Sequence, residues 1–192
     1  MHRRHIRFSR SLAVATALTA TLAASPAYAC IMFVPFTPAD VRYADVVVVG
    51  RVANYRIIRD MEFRRRMLRS PHLSAEDRRR YQGSGTFLSD YARFDILVDR
   101  VLRGRAPRRL SVTWDNSTFG EPERMAAGQY LIALRRPGSR TPPLRGPSAT
   151  ILPSPDRNVF TLLQAPCSNA FIFESTSENA RRVREALRGR PR

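Results

Sequence analysis

The stretch that decides the fold reads DVVVVGRVANYRII and runs from residue 45 to residue 58. It begins with four consecutive valines, and β-branched residues of this kind favour an extended strand. Gly50 interrupts the run, after which apolar and polar residues alternate through Val52 and Tyr55. A glycine inside a strand is typical of a bulge or a sharp bend, which small barrels need at their corners. The stretch therefore predicts one long strand that bends at Gly50.

Further strands are predicted downstream by their alternation. In residues 91–102 the apolar side chains point to one face and the charged ones to the other, and shorter apolar runs occupy 110–114, 128–134, 159–163 and 170–173. The last apolar stripe has helical spacing and follows a capping sequence at 175–178. The pattern predicts a mainly β domain, a small barrel with a C-terminal α-helix packed on it. The residues that we assign to the core are Phe94, Trp114, Val46, Val48, Ile96, Val98, Leu131 and Val183.

Two segments depart from the strand pattern. Residues 59–84 hold eight arginines and four acidic residues, and Ser74 with Asp77 resembles the start of a helix. We interpret them as a charged, partly helical insertion, whose simplest meaning is a solvated excursion without a role. Residues 135–157 form a long loop with six prolines, and a loop of this length is either functional or mobile.

The N-terminus has the pattern of an export signal. Four arginines precede a stretch of about 14 uncharged residues, which is shorter than the roughly 20 residues needed to span a bilayer. Ala27-Tyr28-Ala29 then matches a signal-peptidase site. We expect residues 1–29 to be a cleaved signal peptide and residues 30–192 to be a single domain in the periplasm or outside the cell, with no transmembrane segment.

Cleavage there would leave Cys30 at the new N-terminus, which has two interpretations. Lipidation would make the protein a lipoprotein, but the tyrosine before the cleavage site fits a lipobox poorly. A disulfide between Cys30 and Cys167 is favoured, because these are the only cysteines and exported proteins rarely keep a lone thiol. On the chain-entropy model, a loop of about 137 residues makes such a bond worth roughly 5 kcal/mol.

The charge of the chain predicts an anionic partner. All 33 basic residues are arginines against 16 acidic residues, and the net charge of +17 falls to +13 without the four arginines of residues 1–29. Arginine binds phosphate and carboxylate groups with two parallel hydrogen bonds. Since export removes the protein from most nucleic acid, we expect a protein, an anionic envelope polymer or, at a membrane surface, lipid headgroups. The arginines proposed as contacts are Arg64, Arg65, Arg66, Arg78, Arg79 and Arg80.

The order of these elements resembles a known family. An N-terminal cysteine is followed by the valine-rich strand at 44–52, by Phe94-x-Ile96-x-Val98 leading to a Leu-Arg-Gly turn, by Gly128-Gln129-Tyr130-Leu131-Ile132, and by a late Cys-Ser pair. This set is similar to the TIMP-like, netrin-module OB-fold family, and in particular to its small exported bacterial members. The resemblance covers most of residues 30–187, apart from the insertion and the proline-rich loop.

The resemblance implies a five-stranded OB-type β-barrel whose N-terminal cysteine is tied to the barrel by a disulfide. It also implies an alternative function, because the animal members inhibit metalloproteases. In those proteins the amine and carbonyl of the first cysteine chelate the catalytic zinc, a role that would fall on Cys30. The animal proteins begin with Cys-x-Cys and use many disulfides, whereas Ile31 follows Cys30 here and one disulfide is the most the chain allows.

No catalytic constellation or cofactor motif is present in the sequence. His72 is the only histidine beyond the predicted leader, and no nucleophile motif or phosphate-binding glycine loop accompanies it. Asp115, Glu121 and Glu123 share one loop, where an acid–base pair or a calcium site competes with the simpler interpretation that they solvate the loop. We therefore expect a non-catalytic binding protein without a metal or cofactor.

Overall fold

The computed structural model describes residues 35–83, 87, 89–115, 121–145 and 156–189. The strands are β1 (Val46–Ile58), β2 (Tyr91–Arg103), β3 (Arg109–Asp115), β4 (Gln129–Arg135), β5 (Phe160–Leu162) and β6 (Ile172–Glu174). The helices are a 3₁₀ helix (Pro38–Tyr43), α1 (Met61–Leu68), α2 (Ala75–Gln82) and α3 (Glu178–Arg188). The predicted mainly β class with a C-terminal helix is confirmed.

Five strands form a ring in which β1 pairs with two neighbours. The order is β1, β2, β3, β5 and β4, and β4 returns to β1. The neighbours are antiparallel except β3 and β5, which run parallel. β6 pairs with the same edge of β4 as β5 does. β5 lies beside the end of β4 and β6 lies beside its first half, and the residues between β5 and β6 form a loop.

The bend predicted in β1 is confirmed at Gly50. The pairing of β1 with β2 shifts register between Val49 and Gly50, and again on either side of that position. These irregularities let a strand of 13 residues curve, so that its first half pairs with β4 while its full length follows β2. A side chain at Gly50 would collide with the backbone carbonyl oxygen of Leu97 and lie 2.9 Å from Cγ2 of Ile96.

The run of four valines is explained by burial on both faces of β1. Val46 and Val48 point into the ring, where they join the main core with residues such as Phe94 and Trp114. Val47 points outwards into a second core, which lies beneath α3 and the 3₁₀ helix. A strand covered on both sides needs apolar residues at every position, whereas alternation returns beyond Gly50, where the outer face is exposed.

The eight residues predicted for the core divide between these two clusters. Seven of them are buried, and Val98 is partly buried at the edge of the main cluster. Leu131 and Val183 belong to the second core, in which Val183 lies on the buried face of α3. Ser177 caps α3 by accepting a hydrogen bond from the backbone N–H of Ala180 at 3.2 Å. Among the described residues, no helix is long and apolar enough to cross a membrane.

We expect Gly50→Ala to destabilise the protein by about 2–3 kcal/mol, because the added carbon must displace backbone rather than a mobile side chain. Urea denaturation followed by tryptophan fluorescence measures the change. Gly128→Ala is the matched control, since a carbon added there comes no closer than 4.0 Å to the ring of Tyr130. Equal stability losses in the two variants would contradict the role of Gly50 as the bend of β1.

Candidate functional site

The structure describes one of the two cysteines. Cys167 is buried and has a positive φ of 62°, in the segment that loops out between β5 and β6. Cys30 lies outside the described residues, as does the predicted signal peptide. The disulfide and the inhibitory role of the Cys30 amine therefore stay predictions.

The predicted insertion forms an ordered helical pair. Asp60 caps α1 by accepting a hydrogen bond from the N–H of Phe63 at 2.8 Å, and Ser74 caps α2 by accepting one from Asp77 at 3.0 Å, as predicted. The ring of Tyr81 stacks on that of Phe87 with centroids 4.7 Å apart, and Phe63 packs against both. The predicted charged, partly helical insertion is therefore present as two helices with an aromatic contact between them, and whether it has a role stays a prediction.

Asp90 connects the helical pair to the ring of strands. The carboxylate lies just before β2 and is 2% exposed. Its two oxygens accept hydrogen bonds from the backbone N–H groups of Asp60 at 2.9 Å and Phe87 at 3.0 Å. The guanidinium of Arg64 donates a third at 2.6 Å and lies 4.4 Å from the centroid of the Phe87 ring. Both ends of the insertion are thus held by one buried carboxylate.

This arrangement divides the predicted arginine contacts into two groups. Arg64 is 2% exposed, so it is correctly placed in the insertion but is not part of any surface that a partner can reach. Arg78 is partly buried and donates to the carbonyl oxygen of Leu68 at 3.0 Å, which ties α2 to the end of α1. The four exposed members form what we call the helical arginine surface. They are Arg65, Arg66, Arg79 and Arg80.

The helical arginine surface has few internal partners. Arg65 donates to the carbonyl oxygen of Met61 one turn earlier, and Arg66 and Arg80 lie over aromatic rings. Within the described part of the chain, none of its four guanidinium groups lies within 4.0 Å of a carboxylate. Their charge is therefore directed to solvent.

Two carboxyl groups predicted to be solvated are instead buried. Burial raises the pKa of Asp115 to about 7. Burial also raises the pKa of Glu121 to about 7, and the nearby charges of Asp90 and Asp115 add to the effect. No described residue donates a hydrogen bond to Oδ1 of Asp115 or to either oxygen of Glu121. The solvation interpretation is thus wrong for these two residues, whereas Glu123 is exposed.

Tyr55 of β1 lies beside these carboxyl groups. The hydroxyl of Tyr55 donates to the carbonyl oxygen of Pro122 at 2.5 Å, beside Glu121. Burial, together with the charge of Glu121, raises the pKa of Tyr55. The described residues contain no group of three or more His, Cys, Asp or Glu side chains arranged to hold a metal ion.

A second carboxylate, Asp95, joins three strands on the outer face of the sheet. It accepts hydrogen bonds of 2.8 Å from Arg109, Asn54 and Ser111, on β3, β1 and β3 respectively. These donors stabilise the ionised form and hold the pKa of Asp95 at about 2. Asp95 is therefore already satisfied within the sheet and is a structural group rather than a binding group.

The same outer face carries a line of side chains that the sequence did not indicate. Strand register places Arg56 opposite Arg93, Arg93 opposite Thr113, Thr113 opposite Thr161, and Thr161 opposite Arg135. This line, which we call the strand row, crosses all five strands of the ring. It follows from pairing between residues 20 to 48 positions apart in the chain, so periodicity within one strand contains no signal for it.

Comparison with known proteins adds no relative. No protein-family model matches the chain, and no match is found among curated proteins or among solved structures. The resemblance to the TIMP-like family therefore stays a prediction, and function is argued from the geometry alone.

We expect Arg64→Met to destabilise the protein by about 3 kcal/mol, because it leaves the buried charge of Asp90 without its cation. Arg65→Met is the matched control: it lies next along the same helix, is exposed, and should cost less than about 0.5 kcal/mol. Urea denaturation gives the free energies, and limited digestion with trypsin at Arg79 and Arg80 reports opening of the helical pair. Indistinguishable behaviour of the two variants would contradict the role of the ion pair.

We expect the free energy of unfolding to fall as pH rises from 5 to 8. Asp115 and Glu121 bind protons more tightly in the folded chain, with pKa values of about 7, so raising the pH through that range ionises them in a buried site. Combining Asp115→Asn with Glu121→Gln should flatten this slope, whereas Glu123→Gln should leave it unchanged. Denaturant titrations at several pH values test this, and a wild-type slope in the double variant would rule it out.

Proposed function

We propose that the protein is an exported, non-catalytic binding protein of OB type that associates with an anionic polymer of the envelope or exterior. The observation that carries the proposal is the helical arginine surface. Its four exposed guanidinium groups lie on an ordered scaffold and have no carboxylate partner in the described part of the chain. Arginine in this state favours phosphate, sulfate and carboxylate groups.

The order of the scaffold matters for the strength of such binding. A disordered basic segment loses conformational entropy when it binds, whereas a folded one has already lost it. Here the caps on α1 and α2, the stacked rings and the Arg64–Asp90 ion pair fix the two helices before any partner arrives. The arrangement therefore supports binding through a preformed charged surface.

The strand arrangement supports the OB-type part of the proposal. A ring of five strands, a first strand that bends at Gly50 and serves two neighbours, and a C-terminal helix over one side agree with such a barrel. OB folds bind oligosaccharides and oligonucleotides with the loop between strands 1 and 2, among other places. In this chain the same connection holds α1 and α2.

We include no catalytic step in the proposal. A general acid or base must come within hydrogen-bond reach of its substrate. The two carboxyl groups with pKa values of about 7 are Asp115 and Glu121, and both oxygens of Glu121 are buried away from solvent. We assign these groups to the pH dependence of folding instead.

Binding to long-chain inorganic polyphosphate tests the proposal. We expect the logarithm of the affinity to fall linearly with the logarithm of NaCl concentration between 50 and 200 mM in a titration, since counterions are released on binding. A variant with Arg65, Arg66, Arg79 and Arg80 all replaced by glutamine should bind more weakly. Its slope should be smaller by roughly 0.7 for each arginine that contacts the polymer, as for a single-stranded polyanion.

The control removes the same charge from another part of the surface. Arg100, Arg105, Arg108 and Arg188 are exposed, and their replacement by glutamine should reduce the slope much less. An equal loss in the two quadruple variants would show that net charge alone drives binding. Binding that ignores salt, or no binding at 50 mM NaCl, would overturn the proposal.

A further inference from the structure

A cleft lies at the end of the strand row, apart from the helical arginine surface. It has a volume of about 370 Å³ and opens between the last residues of β4 and the two described ends of the proline-rich loop. Arg135 and Thr161 contribute the strand side of the cleft. Arg136, Gly138 and Arg157 contribute the loop side. A cavity of this size accommodates a small molecule or one unit of a polymer.

The charge within the cleft is positive. Arg135, Arg136 and Arg157 line it, and the acidic side chain among its lining residues is Asp156. Asp156 forms an ion pair with Arg93 at 3.1 Å, so its charge is already matched by the strand row. The three arginines therefore give the cleft a net positive charge.

Two of these cations have unused hydrogen-bonding capacity. One terminal nitrogen of Arg135 donates to the carbonyl oxygen of Thr141, while its Nε is buried and has no acceptor among the described residues. Arg157 is exposed and makes no hydrogen bond or ion pair within the described chain. Arg157 can therefore donate its hydrogen bonds to an anion in the cleft, and Arg135 adds its charge from the strand side.

The other end of the strand row also carries positive charge. Arg56 and Arg93 are directly opposite one another on β1 and β2, and like charges in this position are unfavourable. Asp156 offsets one of them, while Arg56 has no carboxylate within 4.0 Å among the described residues. Arg56 thus keeps an uncompensated charge at the end of the strand row that lies away from the cleft.

Hydrogen bonds to Asp45 and Arg105 fix the loop side of the cleft. Asp45 accepts a hydrogen bond from the N–H of Arg136 at 2.9 Å and one from the hydroxyl of Thr141 at 3.4 Å. Gly138 has a φ of 65°, in the left-handed region that favours glycine, and this turns the chain around the cleft. Arg136 also donates to the carbonyl oxygen of Arg105 at 2.7 Å. The loop wall is thus preformed.

From this geometry we infer that the cleft is a binding site for one phosphate or sulfate ester carried on a sugar or a similar polyol. The ester oxygens accept from Arg135 and Arg157, because guanidinium forks match tetrahedral oxyanions. The remaining volume gives room for the sugar or polyol that carries the ester. The inference is independent of the polymer binding proposed for α1 and α2.

Amide NMR titration of the ¹⁵N-labelled protein at 150 mM NaCl tests the inference, because this salt concentration screens loose surface binding. The ligands are a sugar monophosphate, inorganic phosphate and inorganic sulfate. We expect saturable shifts at the amides of Gly138 and Thr161, with the sugar monophosphate bound most tightly. Equal affinity for the inorganic ions would also support the site, with the oxyanion alone as its ligand.

Two variants make the test specific. Arg157→Gln should weaken binding about tenfold, as expected for loss of one charge-assisted hydrogen bond, and it breaks no contact within the described chain. Arg140→Gln is the matched control, since Arg140 is exposed in the same turn but does not line the cleft. Equal effects in the two variants, shifts confined to α1 and α2, or no saturation would each overturn the inference.

The quadruple glutamine variant of the helical arginine surface separates this inference from the proposed function. It should lose affinity for polyphosphate yet keep the shifts at Gly138. If the wild type binds polyphosphate as proposed and no ligand shifts Gly138, the cleft inference alone is overturned.

Discussion

The buried carboxylate of Asp90 is the interaction on which the helical arginine surface depends. It receives Arg64 from α1 and two backbone N–H groups, one from each end of the insertion. A buried ion pair adds little stability over apolar residues of the same size, but losing one partner is strongly destabilising. Its effect here is to fix the position of the insertion on the ring of strands. The insertion is rich in exposed arginines that repel one another. It keeps one arrangement because one arginine, Arg64, is buried in an ion pair with Asp90.

The long first strand is the second constraint. Its four valines are buried on both faces, so the strand is the common wall of the two cores. Gly50 lets it curve between β2 and β4, and the cover on its outer face ends near that point. Beyond Gly50 the outward side chains of β1 include Asn54, which donates to Asp95, and Arg56, which begins the strand row. One glycine thus separates the part of the outer face used for packing from the part that meets solvent.

The sequence predicted local features well because local physics determines them. The bend at Gly50, the Ser74 cap and the core residues from Phe94 to Val183 follow from propensity and periodicity, and each is present in the structure. It did not predict which charged residues are inside. Arg64 and Arg65 are neighbours of the same type in one helix, yet only Arg64 is buried, since a carboxylate 26 residues away faces it.

The same limit applies to the carboxyl groups and to the cleft. Asp115 and Glu121 stand in a polar stretch of sequence, whereas Tyr55, which bonds to Pro122, and Asp90, whose charge acts on Glu121, come from other parts of the chain. The strand row needs four separate pairings between strands, none of which a single sequence determines.

Excess arginine also has two different physical consequences in this protein. On α1 and α2 the guanidinium groups face water, where salt screens their interaction with an anion. Counterions are released when a polyanion binds there. At the cleft, one donor of Arg135 is already removed from water. The guanidinium of Arg135 is thus partly withdrawn from solvent, and its charge is less screened than those on α1 and α2. The proposed polymer binding would be strongest in low salt, whereas the inferred ester binding would persist at physiological salt.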